Sequence, residues 1–179
     1  ELVKVIHQLI KEKKIIAYHD RSDGGLICSL LEMAFCSRTG LDIKLDEACE
    51  TTKQTLDFLF NEELGIVIQV PTENTEEVIN IVSEVGLKDH IYSIASPSES
   101  KNIKVFQHES LAFEWKLSDL LREWNFVSHK MQTLRDNPKT AEDEFLFDTD
   151  DKRKGLIPKV SFEIPKKLTP SFRKPQIAI

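Results

Sequence analysis

Two adjacent glycines, Gly24 and Gly25, connect a short apolar segment to an amphipathic one, and no other feature of the chain constrains the fold as strongly. The preceding residues, IIAYHD at 15–20, have the apolar-then-polar character of a short strand that ends at Asp20. The following residues, LICSLLEMAFCSR at 26–38, carry apolar side chains at helical spacing. The order strand, glycine turn, helix predicts an α/β fold.

The two hydrophobic periodicities continue to alternate along the first 117 residues. Helical spacing of apolar side chains predicts helices at 1–14, at 51–62 and between Asn74 and Gly86, and short apolar runs predict strands at 41–45, 64–70, 91–96, 103–108 and 111–115. The run at 64–70, LGIVIQV, is nearly all apolar, so we expect a central strand with both faces of its sheet covered. The sequence therefore predicts an α/β domain in which a mixed β-sheet is covered by helices.

Two local patterns make finer predictions. Asn74 and Glu77 have the three-residue spacing of a capping box, which predicts the start of a helix. The strands at 91–96 and 103–108 are separated by a polar stretch, SPSESKN, which predicts a β-hairpin with a long loop. Since 111–115 continues as an extended segment, we expect the domain to end in antiparallel pairing.

The last third of the chain has a different character. From Ser118 to about Asp136, apolar residues recur at intervals of three or four and predict a long helix. Beyond Pro138 this periodicity mostly vanishes among charge runs and prolines, which predicts a linker at 137–174 that lies along a surface. The predicted division is an α/β domain at 1–117, a helical and extended connector at 118–174 and the start of a strand at 175–179. We expect the chain to be a piece of a longer polypeptide.

Composition argues against several classes of function. The net charge of -6 disfavours a general attraction to nucleic acid or to an anionic membrane. The three cysteines contain no CxxC pair and none lies at metal-ligand spacing from a histidine, so we expect reduced thiols without disulfides or structural zinc. No apolar stretch approaches the roughly 20 residues that span a bilayer, and the N-terminus lacks the segments of a signal peptide. We expect a cytoplasmic chain that binds neither nucleic acid nor membrane.

The glycine turn itself permits two interpretations. Backbone N–H groups at the start of a helix can bind a phosphate, and Ser22 could donate its hydroxyl to the same group. Asp20 and Asp23 would repel a bare phosphate, so they suit such a site only if Mg²⁺ lies between them and the phosphate oxygens. In the structural alternative, Ser22 or Asp23 caps the helix while the glycines adopt turn dihedrals that other residues resist. Spacing alone leaves both interpretations open.

Other polar residues near the turn have ordinary explanations. No lysine follows the glycines, so the segment is not the phosphate loop of the common nucleotide hydrolases. His19 is predicted to be a hydrogen-bonded, partly buried histidine rather than a base. Arg21 is predicted to form a surface ion pair, and Glu62 and Glu63 are predicted to be solvated carboxylates before a strand.

Four longer motifs resemble one family. HDRSDGGL at 19–26, EMAF at 32–35, FNEELGIVIQV at 60–70 and LRDNP at 134–138 resemble the phosphoribosylformylglycinamidine synthases, glutamine-dependent enzymes of purine biosynthesis. The resemblance extends over almost the whole chain. It implies the aminoimidazole-ribonucleotide-synthetase C-terminal-like domain from the second half of the large single-chain enzyme, plus the connector to its glutaminase. Residues 175–179 would then begin the glutaminase.

The resemblance also implies an activity. The family converts formylglycinamide ribonucleotide, ATP and glutamine to formylglycinamidine ribonucleotide, ADP, phosphate and glutamate. The family's magnesium-binding aspartate falls on Asp20 and its nucleotide-binding serine on Ser22, so Mg²⁺ and ATP, or a structurally bound ADP, are the implied cofactors. The other magnesium ligands are implied to come from the preceding synthetase N-terminal-like domain. That domain, the glutaminase and the small-molecule substrates are the expected partners, and the chain alone is expected to be inactive.

The resemblance leaves alternatives for the role of the turn. The family has a catalytic nucleotide site and a related auxiliary one, and this domain resembles the contributor to the auxiliary site, where Asp20 and Ser22 would stabilise an assembly. The connector departs from the family pattern, with DKRKGL at 151–156 in place of an Asp-Pro-Gly-Leu loop. A non-catalytic scaffold that docks the glutaminase is one alternative function. A nucleotide-binding module of another enzyme of the superfamily, such as a selenophosphate synthetase or a hydrogenase-maturation protein, is another, which the LRDNP motif disfavours.

Overall fold

The computed structural model describes residues 1–46, 48–153 and 157–163. The helices of these residues are α1 (Leu2–Lys11), α2 (Gly25–Ser37), α3 (Thr52–Phe60), α4 (Thr75–Glu84), α5 (Leu117–Arg135) and α6 (Pro138–Asp148). The strands are β1 (Ala17–Asp20), β2 (Gly40–Lys44), β3 (Ile66–Gln69), β4 (Ala95–Ser98), β5 (Asn102–Gln107) and β6 (Ser110–Lys116). Short 3₁₀ turns lie at Thr72–Asn74 and Lys88–His90.

The strands of the described residues form two separate sheets. β1 pairs antiparallel with β3 in a two-stranded sheet. The other four strands form a mixed sheet in the order β4, β2, β5, β6, in which only the β2–β5 pair is parallel. The predicted class, an α/β domain with a mixed sheet and covering helices, is confirmed.

One hydrophobic core lies between the mixed sheet and helices α2, α3 and α5. Its fully buried members include Ile43 of β2 and both Ile103 and Val105 of β5. Helix α2 contributes the most side chains, Leu26, Ile27, Leu30, Ala34 and Phe35. Because burying a large aliphatic side chain stabilises a fold by roughly 1.5–3 kcal/mol, these contacts fix α2, and therefore its first residues, against the sheet.

A second core lies between helices α1 and α4 and the two-stranded sheet. Val5, Ile6 and Leu9 of α1 are buried against Val78 and Val82 of α4. Within each helix these residues lie on one face, since Val5 and Ile6 are four and three residues before Leu9 and Val78 is four before Val82. The helical predictions for this part of the chain are confirmed.

The prediction that 64–70 forms a central strand is wrong. Strand β3 lies in a sheet of two strands, with β1 as its partner. Its apolar run has another cause, since its two faces contact different cores. Val67 packs in the first core, while Ile66 and Ile68 pack against the second. A strand covered on both faces therefore need not have neighbours on both edges.

The prediction of a hairpin between 91–96 and 103–108 is also wrong. Strand β2 lies between β4 and β5, antiparallel to the first and parallel to the second. This insertion places Ile43 in the interior of the sheet, where its side chain is fully buried. The expected antiparallel ending occurs one strand later, between β5 and β6, where His108 and Glu109 form the turn with positive φ angles of 47° and 65°.

The capping box predicted at Asn74 and Glu77 does not form. Asn74 ends a 3₁₀ turn, has helical dihedrals and makes no side-chain cap bond, because that turn runs directly into α4. Glu77 accepts a hydrogen bond from Lys14 at 2.6 Å instead. A capping box does form at the start of α3, where Thr51 and Gln54 cap each other's backbone.

The long helix predicted from Ser118 is confirmed as α5. Residues 138–148 form α6, a helix that the hydropathy pattern does not predict. Asn137 caps it by accepting bonds from two backbone N–H groups, and its Phe145 ring stacks on His129 of α5 with centroids 4.3 Å apart. The strand start predicted at 175–179 lies outside the described residues.

Candidate functional site

The glycine turn is the corner where β1 ends and α2 begins. Gly24 and Gly25 have φ angles of +85° and +80°, a region that L side chains rarely adopt. A Cβ on Gly25 would lie 2.6 Å from the carbonyl carbon of Phe60, at the end of α3. Both the dihedral and the close backbone approach therefore require glycine at position 25.

The structure does not form the side-chain cap of the structural alternative. Gly24 is the N-cap of α2, and no side chain caps the helix by a hydrogen bond at that position. The Gly24 N–H donates to Glu62 Oε1 at 2.8 Å. Glu62 thus places a carboxylate at the start of α2, which suits the positive end of the helix dipole. It is more than the solvated loop residue that the sequence predicts.

Asp20 has a fixed backbone and an exposed side chain. Its carbonyl oxygen accepts a hydrogen bond from Ser29 Oγ at 2.9 Å and lies 2.6 Å from Nδ1 of His19. Its carboxylate accepts a hydrogen bond from the Tyr18 hydroxyl. This bond is the main cause that raises the pKa of the Tyr18 phenol, and burial and the charge of Asp20 add to it.

Ser22 and Asp23 complete the exposed side of the corner. The Ser22 carbonyl accepts a bond from the Gly25 N–H at 3.0 Å, which closes the turn. The corner therefore brings the side chains of Asp20, Ser22 and Asp23 to the surface within four residues. Carboxylate and hydroxyl oxygens are the hard ligands that suit Mg²⁺.

Arg21 points away from this exposed face. Its backbone N–H donates to the Gly65 carbonyl at 2.8 Å. Its guanidinium lies over the Phe58 ring, 5.4 Å from the centroid. The prediction of a surface ion pair for Arg21 is wrong within the part of the chain that the structure describes. The hydrogen-bonded, partly buried state predicted for His19 is confirmed, since its Nε2 lies 2.9 Å from Glu32 Oε2.

Sequence reasoning missed Tyr18, Glu32 and Trp124 as parts of the corner. Glu32 comes from the middle of α2, and its second oxygen accepts a bond from Trp124 Nε1 of α5 at 3.2 Å. Only Tyr18 had a local signal, because residues two apart in a strand share one face. The contacts of Glu32 and Trp124 depend on how α2 and α5 pack.

The corner fits a metal ion only as one contributor. Among residues 1–46, 48–153 and 157–163, no group of three or more His, Cys, Asp or Glu side chains could hold a metal. Asp20 presents an exposed oxygen donor, so it fits Mg²⁺ as one ligand of a shared site. The nearby Cys28 is a poor nucleophile, since burial raises its thiol pKa and the charges of Glu32 and Glu62 raise it further.

The family described as "AIR synthase related protein, C-terminal domain" matches residues 1–107. The chain belongs to this family. The corner at 19–25, the second core and strands β1 to β5 lie within the matched residues, and the first core does so except for its α5 side chains, Leu117 and Leu121. Separately, no helix of the described residues is long and apolar enough to cross a membrane.

The similarity to one relative continues beyond the matched domain. Phosphoribosylformylglycinamidine synthase of Saccharomyces cerevisiae is 41% identical over 182 aligned residues. The alignment covers 97% of this chain and 13% of the yeast protein, so the chain spans a small part of the relative's length. The resemblance that the four sequence motifs indicate is confirmed.

Solved structures share the fold. PurL of Thermotoga maritima complexed with ATP superposes with a TM-score of 0.56 at 14% identity, covering 65% of this chain and 20% of that one. Phosphoribosylformylglycinamidine synthase II of the same organism covers 92% of this chain and 23% of its own, with a TM-score of 0.54 at 14% identity. A HypE–HypF complex covers 63% and 39% respectively, with a TM-score of 0.51 at 21% identity. The same fold therefore occurs in proteins with different names.

Proposed function

We propose that this chain is part of a phosphoribosylformylglycinamidine synthase. The whole protein would convert formylglycinamide ribonucleotide, ATP and glutamine to formylglycinamidine ribonucleotide, ADP, phosphate and glutamate. ATP would phosphorylate the amide oxygen of the substrate, and ammonia released by hydrolysis of glutamine would then displace the phosphate. This chain would supply the second C-terminal synthetase-like domain at 1–117, the connector at 118–174 and the first residues of the glutaminase at 175–179.

The similarity to the yeast enzyme carries this proposal, because it continues beyond the domain shared by the family. The family match ends at residue 107, whereas the alignment with the yeast synthase covers 97% of the chain. It therefore includes most of α5 and α6 as well as the corner. Solved structures of PurL complexed with ATP, with ADP and with FGAR share the fold and add support.

In this function the corner contributes part of a Mg-nucleotide site. Asp20 would bind Mg²⁺ through its exposed carboxylate, and Ser22 would donate its hydroxyl to the nucleotide. Mg²⁺ would neutralise the phosphate oxygens, which the carboxylates of Asp20 and Asp23 would otherwise repel. The remaining ligands would come from the synthetase N-terminal-like domain of the same polypeptide. We favour an auxiliary, structural nucleotide over a catalytic one, as the position of the domain in the family implies.

The test uses the natural full-length protein that contains this chain. Asp20→Asn and Ser22→Ala are compared with Asp143→Asn, which removes the same charge from an exposed position on α6. Each protein is assayed for ATP-dependent amidine formation, and its nucleotide and magnesium contents are measured after gel filtration. Loss of a direct ligand should lower retention of the Mg-nucleotide at least about tenfold, since even outer partners of a metal site are worth 10-fold to 100-fold.

The outcomes separate the roles. Loss of bound nucleotide with a parallel loss of thermal stability identifies an auxiliary site, and loss of turnover with the retained nucleotide intact identifies a catalytic one. Full activity and unchanged nucleotide content in Asp20→Asn would refute the site. Absence of any amidine formation by the unmodified full-length protein would refute the reaction.

A second function, docking, is favoured by the exposed apolar face of α5. Leu117 and Leu121 at the start of the helix are buried in the first core. The same stripe continues through Val127, Met131 and Leu134, which are 65%, 67% and 89% exposed. Apolar side chains exposed in a row are typical of a surface that another domain covers. We propose that this face holds the glutaminase against the synthetase domains.

Met131→Glu in the full-length protein tests the docking role, with Gln132→Glu as the control that adds the same charge one residue away. Glutamine-dependent activity should fall several-fold in Met131→Glu while ammonia-dependent activity is kept, because only the first needs the glutaminase in place. Deletion of 137–174 should have the same effect. If glutamine-dependent activity falls no more than ammonia-dependent activity in Met131→Glu and in the deletion variant, the docking role is wrong.

A further inference from the structure

Glu32 connects the corner to the long helix α5 because the two oxygens of its carboxylate contact different partners. Its Oε2 lies 2.9 Å from His19 Nε2, and its Oε1 accepts a bond from Trp124 Nε1 at 3.2 Å. The other ring nitrogen of His19, Nδ1, lies 2.6 Å from the carbonyl oxygen of Asp20. We propose that Glu32 is a positioning residue that holds the backbone of Asp20 through His19 and couples the corner to α5.

The backbone of Asp20 depends on two side chains. Its carbonyl accepts a bond from Ser29 Oγ, and Ser29 is fully buried in α2. The second partner is His19, which is 29% exposed at its side chain and has no comparable burial to fix its ring. Glu32 restricts the ring instead, because its contact with Nε2 holds the ring in the orientation that places Nδ1 beside the Asp20 carbonyl.

Trp124 fixes Glu32 in turn. A glutamate side chain on a helix surface has several rotamers, and a second bond selects one of them. The indole of Trp124 is itself held by packing, since its ring lies 5.8 Å from the Phe35 ring at a tilt of 53°. The chain of contacts therefore begins in the first core and ends at Asp20. Movement of α5 against α2 would displace Glu32 and change the support of the corner.

This inference rests on the proposed function in one respect, that Asp20 binds Mg²⁺. The support of Asp20 by Glu32 through His19 can also be tested without any ligand. The full 179-residue chain contains two tryptophans, so its indole N–H region holds two signals in a ¹H–¹⁵N spectrum. Trp124→Phe identifies the Trp124 signal by its disappearance.

The first experiment is a substitution cycle read at the Trp124 indole. His19→Ala removes one of the two contacts of Glu32, which together form the bridge from His19 to Trp124, and it should shift the Trp124 signal through Glu32. In a Glu32→Ala background, His19→Ala should leave the signal unchanged. Glu76→Ala, which removes an exposed glutamate from α4, is the control background and should preserve the shift. A Trp124 signal that does not respond to His19→Ala overturns the bridge.

The second experiment measures Mg·ADP retained by the full-length protein. Glu32→Ala should weaken retention about tenfold, the usual effect of losing an outer partner of a metal ligand. Glu32→Gln should restore it to within roughly twofold. Its amide oxygen accepts from Trp124, and its NH₂ donates to His19 Nε2, so that Nδ1–H faces the Asp20 carbonyl. Trp124→Phe keeps the ring on Phe35 and should have a smaller effect.

The two hypotheses fail differently. If Asp20→Asn leaves Mg·ADP retention unchanged, the proposed site is wrong. The substitution cycle read at the Trp124 indole signal then decides by itself whether Glu32 connects His19 to Trp124. If Asp20→Asn abolishes retention while Glu32→Ala retains it fully, the positioning role is wrong and the proposed function stands. A loss in Glu32→Ala that Glu32→Gln does not restore also overturns positioning by hydrogen-bond geometry. Circular dichroism spectra that match the parent protein exclude unfolding as the cause.

Discussion

Gly25→Ala should destabilise the chain far more than Gly86→Ala, although both glycines have a φ angle of +80°. The two positions differ in their surroundings. A Cβ at Gly86 would find no heavy atom within 4 Å, whereas one at Gly25 would lie 2.6 Å from the carbonyl carbon of Phe60 and 2.8 Å from the Leu59 oxygen. Comparison of the two variants therefore distinguishes the cost of backbone strain, which both share, from the cost of steric conflict, which only Gly25→Ala has.

The expected magnitudes follow from these two terms. The left-handed dihedral costs an alanine about 1–2 kcal/mol, offset by about 0.4–1 kcal/mol from the lower entropy of the unfolded chain. Gly86→Ala should thus cost about 1 kcal/mol. Gly25→Ala has the same strain and adds overpacking against backbone atoms that cannot rotate away, about 1–3 kcal/mol more. We expect a total of about 3 kcal/mol, a large part of a typical stability of 5–15 kcal/mol.

Urea unfolding followed by far-ultraviolet circular dichroism measures both variants. With a slope of about 2 kcal/mol per molar urea, the midpoint should fall by about 1.5 M in Gly25→Ala and by about 0.5 M in Gly86→Ala. Tryptophan fluorescence, which reports on α5 and β6, should give the same midpoints if the transition is two-state. Equal losses in the two variants would refute the argument that α2 begins in contact with the end of α3.

Three further predictions concern single side chains. Thr51→Ala should cost about 1 kcal/mol in urea unfolding, because it removes the capping box of α3; an unchanged midpoint would contradict that role. Cys28 should react with iodoacetamide more slowly than the exposed Cys36, since burial and nearby carboxylates raise the Cys28 thiol pKa, and mass spectrometry of the labelled peptides gives the order. The Tyr18 phenol pKa is raised by its bond to Asp20, so this contact stabilises the fold below the ordinary tyrosine pKa of about 10 and is lost as pH rises through the folded value. Asp20→Asn should move the ultraviolet titration of Tyr18 to lower pH, and no movement would show that the bond does not form.

Local periodicity predicted the elements of this fold, and failed for their pairing. Helices α1 to α5 follow from apolar spacing because each buries one stripe in a nearby core. The place of β2 between β4 and β5 depends on contacts between residues more than 50 positions apart, such as Ile43 with Val105, and no local pattern encodes them. Helix α6 lies in the segment for which the sequence predicts a linker, because its apolar spacing is weak; Asn137 and Pro138 are the N-cap and first residue of this helix.

In the candidate site, too, local features could be predicted from the sequence whereas long-range contacts could not. Asp20 at the end of a strand and two glycines before a helix were predictable, since both follow from the local change of periodicity. The partners of the corner were not. Glu62 reaches the Gly24 N–H from 38 residues away, and Trp124 reaches Glu32 across 92. Each of these contacts forms only when distant segments of the chain pack together. The sequence shows the two residues of each contact but does not show that they meet.

Glu62 also constrains how a nucleotide could bind in the proposed site. The start of α2 is where a phosphate would find free N–H groups, but the Gly24 N–H already donates to the Glu62 carboxylate. A phosphate at that position would have to replace Glu62 while lying close to the charges of Asp20 and Asp23. A divalent ion bound at Asp20 would neutralise the two negative charges of Asp20 and Asp23 and would so remove most of this repulsion. Mg²⁺ and the nucleotide would therefore bind to the proposed site together, and Glu62 would release the Gly24 N–H as the phosphate arrives.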